Sequence, residues 1–295
     1  MRIAIYGRPT ASNLTEEVKG IFTQLDGLGF EYIIHEGFYN SLKEIIPFKK
    51  KPGTFSAELP KGSVDYLISM GGDGTLLETL PYVAKPGIPV LGINTGRLGF
   101  LAIVPEENFS PALVALKNKK FTIQNRTLLN LDTSGSLFGK YNYALNEICV
   151  QRKDASTMLT IHTYLNGEFL NSYWADGLII ATPTGSTAYS LSCSGPILLP
   201  DDSSFIITPI APHNLNVRPV VIPDSYTIKL KVEGRNPTNL VSLDSRTEDI
   251  DSSVELNIRK ESFGVKLIQI PGQSFTETLR KKLHWGKDIR NEQVS

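Results

Sequence analysis

Charge of one sign is missing from this sequence: 30 Lys and Arg residues balance 30 Asp and Glu residues, for a formal net charge of zero. Long-range attraction to nucleic acid or to an anionic membrane is therefore not built in, and no polymeric partner is indicated. Cysteine is scarce. Cys149 and Cys193 form neither a CxxC pair nor a disulfide framework, which fits a reducing compartment better than a secreted scaffold. No run approaches the roughly 18 apolar residues of a membrane span, and the apolar stretch Ile3-Ala4-Ile5-Tyr6 behind Met1 is too short for a signal peptide. The expectation is a cytoplasmic protein.

Several site signatures are absent as well. Neither GxxxxGKS nor GxxxxGKT occurs, so this is not a P-loop NTPase, and no GxGxxG follows a strand, so the ordinary dinucleotide fingerprint is missing. HExxH and paired CxxC are also missing, and no tight metal site is expected. What remains is a composition of 41% hydrophobic and 20% charged residues, which decides for globular folding and against disorder. A chain of 295 residues predicts about two domains.

The first part alternates strand and helix signals. Residues 3–6 read as a buried strand. Val18, Ile21, Phe22, Leu25 and Leu28 then recur at helical spacing behind a cap at Asn13, with Glu16 three later. A strand over 31–35, a short helix over 41–48 and a strand over 65–70 follow, the last running into Gly71-Gly72-Asp73-Gly74-Thr75. A helix over 76–83, a strand over 88–93 and a helix entered at Ser110-Pro111 complete a pattern that calls for a parallel sheet with helices on its faces.

From about residue 121 the rhythm changes to short strands. They fall at 121–131, 141–150 and 158–165, the last joined through Asn166-Gly167, a strong hairpin signal, to 168–173. Further β-type runs lie at 204–208, 220–222, 226–232, 254–258 and 265–270, and Phe275, Leu279 and Leu283 mark a helix over 275–285. The fold class read from this is α/β plus β. A Rossmann-like parallel α/β domain covers 1–120, with the C-terminal helix (275–295) returning to it, and a β-rich, sandwich-like domain covers 121–274.

Gly71-Gly72-Asp73-Gly74-Thr75 sits between a strand and a helix, at the carboxyl end of a sheet strand, where open α/β folds bind ligands. Its glycines let backbone approach phosphate oxygens closely. A carboxylate there repels phosphate unless it serves a metal or accepts a proton; the plainer alternative is Asp73 as a helix N-cap. Gly92 to Phe100, GINTGRLGF, suits a second tight loop, or an ordinary strand-to-loop connection. The most specific stretch is Asp176 to Ser192, DGLIIATPTGSTAYSLS. An apolar strand leads into a hydroxyl-rich turn and a short helix, gathering hydroxyls, amides and one aromatic ring fit to hold adenine, ribose or phosphate, or else only capping the helix. Asn146-Glu147 stands within the strand 141–150. It is either a pair that exchanges hydrogen bonds with ribose hydroxyls or an edge-strand pair.

Together, GGDGT, GxNxGxxGF, the Asn-Glu pair and DGLIIATPTGSTAYSLS with Gly195-Pro196 behind it resemble the NAD kinase family, over most of the chain. GGDGT alone is shared with diacylglycerol and sphingosine kinases and, more loosely, phosphofructokinases; TPTGSTAY with the Asn-Glu pair is far more restrictive. The resemblance implies a kinase that uses ATP and NAD with a divalent cation such as Mg²⁺. It implies an N-terminal α/β domain, a C-terminal β domain with a dinucleotide site between them, and a homodimer or homotetramer. Asp73 matches the family's proton acceptor. Gly74, Asn146, Glu147, Asp176, Thr187, Ala188, Tyr189, Ser190, Leu191 and Ser192 match its dinucleotide contacts, as does Asp73 itself, and Trp174 and Ala211 fall where further contacts are expected. Cys193-Ser194-Gly195-Pro196 departs from the family's Gly-Gly-Pro-Ile. Asp244-Ser245-Arg246 stands where many members carry Asp-Gly-Gln, which suggests Arg246 as a phosphate contact.

The mechanism this implies is in-line attack of the ribose 2′-hydroxyl on the γ-phosphorus, with Asp73 accepting or orienting the hydroxyl proton. Two other readings share features with it. A lipid kinase would share GGDGT but would want an acyl channel and a membrane-facing surface. A non-catalytic NAD(P) sensor would bind the dinucleotide but would have no use for the carboxylate of Asp73.

Overall fold

The fold divides into two compact units, Met1–Gln124 with Lys266–Ser295, and Asn125–Val265; the sequence reading places these boundaries after residues 120 and 274. The computed structural model describes residues 1–8, 15–96, 98–154, 158–234 and 238–285. The expected cap at Asn13, Arg97 in the second glycine loop and the terminal stretch 286–295 lie outside the described residues.

The first unit runs β1 (Arg2–Gly7), α1 (Thr15–Gly27), β2 (Glu31–His35), α2 (Glu36–Leu42), β3 (Gly53–Phe55), β4 (Tyr66–Met70), α3 (Asp73–Leu77), α4 (Leu80–Val83), β5 (Val90–Asn94), β6 (Val104–Pro105), α5 (Phe109–Lys117) and β7 (Thr122–Arg126). β1 pairs in parallel with β2 on one side and with β4 on the other, and β5 lies beyond β4. All five residues of β4 and of β5 are buried, as a sheet covered on both faces requires. Val18, Ile21, Phe22 and Leu25 of α1 and Phe109, Leu113 and Leu116 of α5 pack with Ile3, Ile5, Ile68 and Ile93 into one core.

Two expectations here are corrected. The short helix expected over 41–48 lies earlier, as α2, because Pro47 disfavours helical backbone at the residue before it and Phe38 and Leu42 supply the buried face. The single helix expected over 76–83 is two short ones. Asp73 opens α3 in its first turn behind Gly72 as N-cap, so it is not itself the cap. Pro81 sits in the first turn of α4, where its missing N–H cannot extend α3.

The second unit carries β8 (Leu129–Asp132), β9 (Tyr143–Ala144), β10 (Glu147–Gln151), β11 (Leu159–Leu165), β12 (Glu168–Ala175), β13 (Gly177–Ala181), α6 (Tyr189–Ser192), β14 (Ser204–Ile210), β15 (Val220–Pro223), β16 (Ile228–Gly234), β17 (Thr238–Leu243), β18 (Arg246–Asp251) and β19 (Leu256–Lys260). They form two six-stranded sheets, β15-β14-β13-β10-β17-β18 and β12-β11-β16-β19-β8-β9. Their inward faces share one core that includes Ile148, Leu178, Phe205 and Val241 from the first and Leu131, Ile161, Leu230 and Ile258 from the second. This is a sandwich. Asn166 (φ 50°) and Gly167 (φ 89°) both take positive φ in the β11–β12 turn, as a two-residue hairpin loop demands.

The chain then returns to the first unit as β20 (Val265–Gln269) and α7 (Phe275–Leu283). β20 joins the parallel sheet beside β5, with Leu267 opposite Val90, giving the order β3-β2-β1-β4-β5-β20-β7. In α7 the Ser274 side chain accepts from the Glu277 amide as N-cap, and Phe275 meets Phe100 with ring centroids 6.1 Å apart.

Candidate active site

In the first unit the candidate residues lie where β4 and β5 end. Asp73 leaves β4 through the glycine turn, and its carboxylate is clasped by the loop that follows β5. Oδ2 accepts from the Phe100 amide at 2.7 Å, and Oδ1 accepts from Leu101 and Ala102 at 2.9 Å each. A Cβ on Gly99 would collide with this carboxylate, so only glycine lets the second loop close over the first. The two glycine motifs, Gly71 to Thr75 and Gly92 to Phe100, thus form one structure, with the Asp73 carboxylate as its link. Of the three glycines around Asp73 only Gly71 takes positive φ, at 147°. Gly72 is extended (φ −83°, ψ −172°), and Gly74 provides space, with Arg8 Nη2 3.5 Å from where its Cβ would be. The same second loop borders a cavity of about 480 Å³ within the first unit, lined by Asn94, Thr95, Ile103, Ser274 and Glu277 among others.

The second unit gathers the remaining candidates. Asn146 is not inside a continuous strand, as the sequence suggests, but in a break between β9 and β10. The cause is Asp244, whose half-buried carboxylate accepts three consecutive amides: Leu145 (2.9 Å), Asn146 (2.7 Å) and Glu147 (3.2 Å). Amides turned toward a side chain cannot continue a strand ladder. On its other side the break is held by the hydroxyl-rich turn. Thr182 N–H donates to Asn146 O (2.9 Å) and Thr182 Oγ1 donates to Leu145 O (2.5 Å). Gly185 lies so close to the Asn146 carbonyl that a Cβ there would collide with it.

This packing leaves the Glu147 side chain enclosed. Its Oε2 has no hydrogen-bond partner among the described residues, while its carboxyl accepts from the Tyr189 amide. Burial first, and repulsion from Asp244 second, push its pKa up to about 8. At neutral pH it is a neutral carboxylic acid, able to donate as well as accept.

The hydroxyls at 182–192 work mostly within the protein. Thr182, Ser186 and Ser190 are fully buried. Ser186 donates to Pro183 O at 2.6 Å, and Ser190 pairs with Thr208 at 2.8 Å. The surface is left to half-buried Thr187, Ala188 and Leu191, exposed Tyr189 and exposed Ser192. Trp174, Asp176 and Ala211 lie together across β12 and β14. Asp176 N–H donates to Ile210 O (3.0 Å) and His213 N–H to Trp174 O (2.9 Å), bracketing Ala211, which takes a positive φ of 44°. Trp174 is 53% exposed, and Asp176 pairs with Arg152 at 2.9 Å.

Arg246 does not present itself as a phosphate contact. Its guanidinium donates to the carbonyls of Tyr141 and Tyr143 and lies over the Tyr143 ring, where it ties the Asp244 hairpin to β9. Sequence reasoning missed the role of Asp244, whose only mark is its place in an unusual tripeptide. It also missed Arg8, whose only mark is that it follows the first strand.

Residues 4–121 match the sequence model of the ATP-NAD kinase N-terminal domain and residues 145–270 that of the ATP-NAD kinase C-terminal domain. The chain is 50% identical over 294 residues to the NAD kinase of Flavobacterium johnsoniae, covering 99% of this chain and all of that protein. It is 40% identical to that of Bacteroides fragilis over 290 residues, 98% of this chain and all of the relative. Among solved structures it is similar to an NAD kinase from Archaeoglobus fulgidus in complex with ATP (TM-score 0.74, 26% identity, 96% of this chain and 99% of that one). Yeast NADH kinase complexed with NADH shares the fold (TM-score 0.85, 23% identity, 99% and 90%).

Proposed function

The chain belongs to the NAD kinase family and transfers the γ-phosphoryl group of ATP to the adenosine ribose 2′-hydroxyl of NAD, giving NADP and ADP, and on that premise we propose how its own residues act. Asp73 meets the attacking hydroxyl. The observation that carries this reading is the three-amide clasp on Asp73, which fixes the carboxylate at the end of β4. Oδ2 takes one of these bonds, leaving it a second lone pair with which to receive the 2′-hydroxyl proton and aim the oxygen at phosphorus. Proton acceptance of this kind contributes about 10²- to 10⁴-fold, and positioning contributes much of the rest.

Gly74 beside Asp73 in the first unit and, taken separately, the cluster of the second unit are proposed as contacts of NAD. Asn146 and the neutral Glu147 carboxyl exchange hydrogen bonds with ribose hydroxyls. Tyr189 and Trp174 offer exposed aromatic faces for stacking. Thr187, Ala188, Leu191 and Ser192 contribute the edge of α6, and Asp176 and Ala211 the neighbouring loop. The Ser190 hydroxyl holds α6 to Thr208 rather than reaching NAD directly.

A divalent cation, Mg²⁺ by preference, accompanies the triphosphate. Among the described residues no group of three or more His, Cys, Asp or Glu side chains gathers to hold a metal, and the Asp73 carboxylate already accepts three amides. In this reading the phosphate oxygens would provide most of the coordination, and no step above runs through the metal. We further propose a cytoplasmic homodimer or homotetramer; no helix among the described residues is long and apolar enough to cross a membrane.

The test is to incubate the purified chain with ATP and Mg²⁺ and with NAD, NADH or diacylglycerol in turn. NADP and ADP appearing in equal amounts is the expected result. Phosphorylation of diacylglycerol, or binding of NAD without ATP consumption, contradicts it.

A further inference from the structure

The order β3-β2-β1-β4-β5 means that after β1 the chain lays two strands to one side and then crosses over to lay the next two on the other. Connections leaving β1 and β4 therefore diverge, and open sheets of this kind bind ligands in the crevice beyond the carboxyl ends of the strands at that point. The glycine turn at the end of β4 is one wall. Gly7 is paired with Met70, so the next residue along β1, Arg8, stands level with Gly71, the first residue of that turn.

Arg8 is held in a specific pose. Its Nε donates to Glu78 Oε2 at 2.9 Å and its Nη2 to Glu78 Oε1 at 2.6 Å, and Glu78 Oε2 also accepts from the Tyr6 hydroxyl at 3.1 Å. The same Nη2 lies against Gly74. A guanidinium has five N–H groups in a rigid plane. Glu78 takes the Nε–Nη2 edge, which leaves both Nη1 hydrogens and the second Nη2 hydrogen to offer to another anion. The side chain is 52% exposed, so a ligand can reach it. An exposed ion pair of this sort contributes little to stability, yet this one costs the chain a side chain fixed across a glycine placed to receive it.

Phosphoryl transfer spreads negative charge over the oxygens of the transferred group, and catalysis depends on cationic donors placed to meet it. Asp73 cannot serve in that role. We propose that Arg8 binds a phosphate of the donor nucleoside triphosphate in the β1–β4 crevice, with Glu78 and Tyr6 holding the guanidinium over Gly74. This assignment rests on the kinase reading above.

The experiment uses the full chain with Arg8→Gln and Arg8→Lys. At saturating NAD, Arg8→Gln is expected to raise the KM for ATP or lower kcat, so that kcat/KM for ATP falls about 10-fold or more, the loss of one charge-assisted hydrogen bond. The KM for NAD should stay within about twofold, and Arg8→Lys, keeping the charge without the fork, should recover part of the loss. Should Arg8→Gln be too slow to assay, calorimetric titration with ATP and with NAD replaces turnover: ATP affinity is expected to fall while NAD affinity holds. Unchanged kcat/KM or unchanged affinity for ATP, or a loss confined to NAD, overturns the assignment. If the wild-type chain makes NADP and Arg8→Gln does so equally well, only the role of Arg8 fails; if the wild-type chain makes none, the kinase reading fails with it.

Discussion

Asp73 is fixed by what surrounds it rather than by its own neighbours in sequence. The loop that clasps it can close because residue 99 is glycine. Gly99→Ala should therefore displace the carboxylate while leaving the sheet beneath it intact. A misplacement of about 1 Å is expected to cost on the order of 10²-fold in kcat, measured as NADP formation alongside an unchanged far-UV circular dichroism spectrum. Glu147 supports a pH prediction. Its pKa lies at about 8 in the folded chain against an ordinary 4.5, so folding takes up a proton between those values. Stability from this group is then greatest near the lower end and falls as pH rises toward about 8. Asp244, Tyr189, Cys149 and Cys193 are the other titratable groups that feel it, and none of them is a compensating cation. Glu147→Gln should flatten the decline in melting temperature across that range, and an unchanged decline would show that Glu147 is not the group responsible. Residues of this kind were only half legible in the sequence. GGDGT and the Asn-Glu pair could be singled out by composition, but nothing near residue 73 says that three amides some 27 to 29 positions later will claim its oxygens.

Local elements were legible where local chemistry decides them. Asn166-Gly167 demanded a hairpin and has one, and the run 31–35 is β2 to the residue. They were obscure where distant groups decide. The strand expected through residue 146 is broken because Asp244, about a hundred positions away, collects three of its amides. The hairpin of β17 and β18 that carries Asp244 gives no clean alternation to mark it. Asp244→Ala should leave those three buried donors without their acceptor, at about 1–3 kcal/mol for each group that cannot find another. Urea unfolding is expected to show a loss of about 3 kcal/mol or more. A loss under about 0.5 kcal/mol, the range of ordinary surface changes, would mean that the carboxylate does not organise the Asn146-Glu147 break.

The molecule as a whole is built so that its first unit is finished by its last residues. β20 lies between β5 and β7 in the parallel sheet, and Phe275 of α7 meets Phe100 in the loop that clasps Asp73. A five-residue strand such as Val265–Gln269, apolar at Val265, Leu267 and Ile268, reads alike in either kind of sheet, so its partner could not be read from the run itself. Removing 266–295 should abolish the first unit's cooperative unfolding transition, whereas removing only 275–295 should keep it at reduced stability; calorimetry of the two truncations checks this. The most direct measurement concerns Asp73. In ATP-dependent NADP formation at saturating NAD and ATP, Asp73→Asn should lower kcat by about 10² to 10⁴ with the fold retained. Turnover within a few-fold of the wild-type chain would contradict a carboxylate that receives the 2′-hydroxyl proton.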